Sequence, residues 1–128
     1  MDKTVDLCIA HILRDIDKRR EVDLADKNSV RRYNAAMDRI VRNMEYIDVY
    51  FPNHFCKLSD LLDHPDQKVV DNCMGIMFRL NNCPIETKRK IVGIAKQRLN
   101  DPSIHRSDKR IISWNIEKWQ DELKQYDQ

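Results

Sequence analysis

Residues 58–80, LSDLLDHPDQKVVDNCMGIMFRL, limit what this chain can fold into more than any other stretch. They read as a short helix, a turn broken by Pro65 and a second, very apolar helix. With residues placed at 100° intervals, Val69, Val70, Cys73, Ile76, Met77 and Leu80 form one stripe of that second helix. Met74 and Phe78 widen the stripe to roughly 200°, well past the ~100° of an ordinary surface helix. Only Lys68, Asp71, Asn72 and Arg79 remain for water. Such a helix must be covered from at least two sides, so the other elements are expected to stack around it. Asp66 is placed to cap it and Pro65 to stop the helix before it.

Glycine scarcity sets the class of the remainder. The only glycines among 128 residues, Gly75 and Gly93, both fall inside predicted helices, which argues against a turn-rich β fold and for an all-α one. A chain of this length predicts a single domain over 1–128 with one modest core. Lys and Arg number 23 against 21 Asp and Glu, and a net charge of +2 predicts no general affinity for nucleic acid. The apolar run from Leu7 to Leu13 is interrupted by His11 and followed by Arg14 and Asp15, so it reads as neither signal peptide nor membrane span. Cys8, Cys56, Cys73 and Cys83 fall on or near apolar helical positions without paired spacing and fit reduced, buried thiols of a cytoplasmic protein.

Pro52, Pro65, Pro84 and Pro102 each fall where the hydrophobic period breaks, and so mark the helix boundaries. A first helix is predicted over about 4–20, with Val5, Cys8, Ile9, Ile12 and Ile16 on one face. A long second helix, capped by Asn28 or Ser29, runs to about Tyr50 with Val30, Tyr33, Met37, Ile40, Val41, Met44, Ile47 and Phe51 inward. A short third helix spans about 54–62, and the wide fourth follows. The fifth, with Pro84 in its first turn, runs to about Leu99. The sixth, about 107–126, turns Ile112, Ile116, Trp119, Leu123 and Tyr126 inward.

A faint repeat joins Leu62-Asp63-His64-Pro65 to Leu99-Asn100-Asp101-Pro102, 37 residues on, each followed by an amphipathic helix. Matching the cores of those helices requires a five-residue insertion in the second turn. The stretch 58–80 resembles the HEAT/armadillo-type unit, in which a leucine-rich helix ends at an Asp-Pro turn and the next opens with valine and carries small residues. Here Val69 and Val70 open the helix, and Cys73 and Gly75 are the small positions. With the Arg32-Tyr33-Asn34 start of a long helix, residues 29–99 are similar to a bacterial family of short armadillo-like domains of uncharacterised function. The resemblance implies six helices in stacked antiparallel pairs forming an α-α superhelix. Met74 and Phe78 depart from it in bulk, and it does not cover the first helix or the last loop.

No motif for nucleophilic catalysis is present, and no cofactor or small-molecule substrate is indicated. His54, Cys56 and His64 lack the close spacing of metal ligands, so no metal is expected. Three surfaces are candidates for a partner. Arg32, Arg39, Arg42, Tyr46 and Tyr50 lie opposite the buried stripe of the second helix, with the Tyr and Arg composition of interface hot spots; packing on the first helix is the alternative reading. Trp114 lies nearly opposite Ile112 and Trp119, either packed on the fifth helix, the preferred reading, or exposed as an anchor. Asp60 and Asp63, with Asp66 and Asp71, form an acidic turn able to meet a basic partner. Separately, residues 83–112 carry Lys88, Arg89, Lys90, Lys96, Arg98, Arg106, Lys109 and Arg110 against Glu86, Asp101 and Asp108, a local charge of +5 within a chain of +2.

These features lead to the expectation of a non-enzymatic protein-binding module without membrane attachment. Its most concrete form is an immunity or antitoxin-like protein that neutralises a bacterial toxin. The alternative is a nucleic-acid-binding domain that uses the basic segment, in which Lys88, Arg89, Lys90, Arg106 and Arg110 would meet phosphates.

Overall fold

A computed structural model describes residues 4–20 and 22–126. The fold is all-helical, with no strand among the described residues, and comprises α1 (Val5–Arg19), α2 (Lys27–Tyr50), α3 (Phe55–Ser59), α4 (Gln67–Phe78), α5 (Ile85–Leu99) and α6 (Arg106–Leu123). Short 3₁₀ turns flank α3 at Pro52–His54 and Asp60–Asp63, and a third, Lys124–Tyr126, follows α6. Contacts group the chain into two compact units, Met1–Cys83 and Pro84–Gln128. No helix among the described residues is long and apolar enough to cross a membrane.

The caps explain several boundaries. Thr4 accepts a hydrogen bond from the Leu7 amide at 3.1 Å, and Asp66 accepts one from the Lys68 amide at 2.9 Å. For α2 the cap is Asp26, which accepts from the Asn28 amide, so the helix starts earlier than Asn28 or Ser29 would have it. Ser29 is buried instead, its hydroxyl accepting the Asp23 amide at 2.8 Å. Pro84 takes the cap position of α5 rather than its first turn, where its fixed φ and missing N–H cost nothing. The ring Nδ1 of His105 caps α6 by accepting the Ser107 amide at 3.1 Å.

In the first unit α1 and α2 pack antiparallel. Asp15 is fully buried on α1, and its Oδ1 accepts from Nε and Nη2 of Arg39, each at 3.0 Å. One turn further along α1, Arg19 reaches Tyr33 of α2 and Asn72 of α4, with its guanidinium 4.3 Å from the centre of the Tyr33 ring. At the other end of α2 the buried Asp48 carboxylate accepts the Asn81 and Asn82 amides at 2.9 Å each, and its own carbonyl accepts from the Asn82 side chain. Tyr33 therefore lies level with the middle of α4 and Asp48 beyond its end, so α2 and α4 run in the same direction. In the second unit α5 and α6 form an antiparallel pair, with Lys88 near the start of α5 and Glu122 near the end of α6, 3.8 Å apart.

The core of the first unit holds Ile12, Ile16, Ile40, Met44, Ile47, Leu58 and Met77. Two predicted stripes are displaced from it. On α2 the buried band turns toward Ala36 and Asn43, following the Asp15–Arg39 contact with α1, so Met37 and Val41 are only half-buried. On α4, Val69, Val70, Cys73, Met77 and Phe78 are buried as expected, but Met74 and Ile76 are half-buried. The expectation that neighbours cover all of that wide stripe fails at its two edges, and the Ile76 edge is the one that faces α2. In the second unit Ile91, Val92, Ala95, Ile116 and Leu123 are buried, whereas Tyr126, expected inward, is half exposed.

Candidate protein-binding surface

The displaced stripes leave an opening. Two adjoining hollows lie between α2 and α4, one of about 400 Å³ lined by Arg19, Met37, Lys68, Asp71, Asn72, Gly75, Ile76 and Arg79. The other, of about 350 Å³, is lined by Val41, Glu45, Asp48, Val49, Ile76, Arg79, Leu80 and Asn81. Ile76 and Arg79 belong to both, so the two form one groove with α2 as one wall and α4 as the other. Its apolar lining includes the half-buried Met37, Val41 and Ile76. Its rim carries Arg19, Lys68 and Arg79 with Asp71 and Glu45.

Gly75 lies on the α4 wall, and a Cβ added there would meet nothing within 4 Å. A glycine inside a helix costs about 1 kcal/mol relative to alanine. Packing within this chain does not require it.

Past the groove the surface of α2 becomes aromatic. Val49 and Tyr50 are 61% and 66% exposed. The rings of Tyr46 and Tyr50 lie 4.8 Å apart, Phe51 stands 5.9 Å from Tyr46, and His54 extends the row from Phe51 at 6.4 Å. At 100° per residue, Val49 falls between Glu45 of the groove and Arg42, Tyr46 and Tyr50, which makes one continuous arc from groove to aromatic corner. Arg42 is exposed on that arc. Arg39 turns away from it to Asp15, and with Lys18, Val22, Ser29 and Arg32 it lines a separate cavity of about 330 Å³.

The remaining candidates are dispersed. Asp60 and Asp63 are exposed in the turn before α4. Asp66 is occupied as a cap and by Arg20, whose hydrogen bond, followed by that of the Lys68 amide, holds its carboxyl below the ordinary carboxylate range. Trp114 is 60% exposed rather than packed on α5; Ile111, one turn back, is 59% exposed, and the Lys118 ammonium sits 4.0 Å over the indole. Trp114 is exposed because α6 turns Ile116 and Leu123, on its opposite side, into the core.

Of the basic segment, Lys88 has only 12% of its side chain exposed, directed at Glu122 and the Tyr126 ring. Arg89 and Lys90 are exposed but follow it at successive 100° steps and so point in different directions. Arg106 and Arg110 are exposed one turn apart on α6. His54 and Cys56 are exposed, while His64 accepts the Asp66 amide at 3.0 Å; no group of three metal-capable side chains occurs among the described residues.

The groove was not expected from the sequence. Its signals were present in Ile76 and Arg79 at the edge of the α4 stripe and in a glycine within a helix, but an over-wide stripe reads as core until the neighbouring helices are placed. The chain matches no protein-family model, no curated protein and no solved structure.

Proposed function

We propose that this chain is a protein-binding module that engages its partner through the exposed side of α2. The observation that carries this reading is the aromatic corner, where Val49 and Tyr50 stand exposed beside Tyr46 and Arg42. Contiguous exposed apolar surface is uncommon on a chain that works alone, and tyrosine and arginine are enriched among the few residues that dominate binding at protein interfaces. Stacked helical pairs of the HEAT/armadillo kind would hold such a face rigid, so little ordering entropy is lost on binding.

The most concrete form of this function is neutralisation of a toxin, with the α2 surface covering the toxin's working face and the exposed Asp60 and Asp63 meeting its cations. The nucleic-acid alternative draws less support, because Lys88 faces Glu122 and its basic neighbours diverge.

Affinity purification of the tagged chain from its own cells at moderate salt tests the reading. A stoichiometric protein partner is expected, lost from a Val49→Ser/Tyr50→Ala variant of unchanged Tm. Retention that nuclease treatment abolishes would overturn it. The toxin form requires that co-expression rescue cells from the captured partner; no rescue would refute that form alone.

A further inference from the structure

We infer that the groove between α2 and α4 receives a single amphipathic helix of a partner protein, with a small side chain over Gly75 and a carboxylate against Arg79. This inference rests on the protein-binding reading above and identifies what the partner inserts.

The groove's dimensions fit a helix. Its α4 wall runs from Lys68 to Arg79 and its α2 wall from Met37 to Val49, so each is about 17 Å long at 1.5 Å per residue, the length of three helical turns. An extended peptide is a poor occupant. No strand edge exists among the described residues to pair with its amides, whereas a helix brings its backbone bonds already made.

The charges select the kind of helix. The guanidinium of Arg79 and the ammonium of Lys68 engage no acceptor among the described residues, and Arg79 sits where the two hollows meet. A carboxylate on the incoming helix would satisfy Arg79 by charge-assisted bonds, while apolar side chains cover Met37, Val41 and Ile76. Gly75 supplies the close approach, since its missing Cβ lets the incoming backbone lie nearer to α4.

The test is selection of helical 15-residue peptides from a display library on the whole chain, followed by affinity measurement on variants. Gly75→Leu fills open space and should keep or raise Tm, so its effect on binding is separable from folding. The expected peptides carry a carboxylate and a small residue one turn apart and lose at least roughly tenfold in affinity on both Gly75→Leu and Arg79→Glu.

Peptides indifferent to both changes, cationic peptides, or no peptide of millimolar affinity or better would overturn the inference. Peptides lost on Tyr50→Ala yet indifferent to Gly75→Leu would overturn it while leaving the protein-binding reading intact. Sedimentation equilibrium adds a further outcome: a dimer that dissociates on Gly75→Leu would make a second copy the occupant and end the proposal of a foreign helix.

Discussion

Asp15 is a buried carboxylate whose Oδ1 is fully used by Arg39 and whose Oδ2 finds no partner among the described residues. Removing Arg39 leaves that charge uncompensated, so Arg39→Ala should destabilise the chain by about 3 kcal/mol. Asp15→Leu with Arg39→Met should recover most of the loss, as denaturant titration of the three variants would reveal. Arg39 was legible as an interface residue only because helical spacing put it beside Arg42; the carboxylate that claims it comes from another helix. The cysteines were easier to read, since all four are free thiols. Burial pushes the Cys73 thiol up to about 12, and Cys8 and Cys83 are buried as well, but Cys56, expected to be buried too, is exposed because it falls on the outer side of the short α3. A thiol reagent should titrate one group rapidly in the native protein and four after denaturation. Fast reaction of a second thiol would contradict the burial described.

Helix boundaries were the most readable property at the scale of elements, because proline, capping residues and hydrophobic period are local signals that agree at Pro65–Asp66 and Pro84. Which way a helix faces was less readable, as α2 shows, since its rotation is decided by α1 and not by its own stripe. Between elements, the Asp66 carboxylate joins the start of α4 to Arg20 at the end of α1. Its folded pKa is lowered from 3.8, chiefly by the Arg20 hydrogen bond. A lowered acid contributes stability that is complete above its unfolded value and is lost as pH falls through the folded one. Asp66→Asn should therefore lower Tm near pH 7 and converge with the parent as pH falls through the folded value, where both side chains become neutral. A constant gap in Tm across that range would show that the carboxylate's charge is not what matters.

At the scale of the molecule, the all-helical class was legible from two glycines and four prolines, but the division into two units was not. The repeat that links 62–65 to 99–102 straddles the division, and nothing in local pattern marks Cys83 as the end of one contact network. The interface proposed above lies wholly in the first unit, with the dispersed cations and Trp114 in the second. The Asp48 carboxylate has a consequence for how the chain comes apart. Asn81 and Asn82 are exposed next to the unit boundary, where a protease would be expected to enter. Cleavage needs several residues of extended backbone, and both amides are held by a buried anion. Trypsin should therefore cut slowly after Arg79 in the native chain. Losing the clamp in Asp48→Ala should cost about 2 kcal/mol of local stability and speed that cut by roughly thirtyfold, as a timed digest read by mass spectrometry would measure. Equal rates would mean that the segment is held by something else. With the faster cut, the residue that ties the end of α4 to α2 also sets how long the two units stay on one chain in a proteolytic environment.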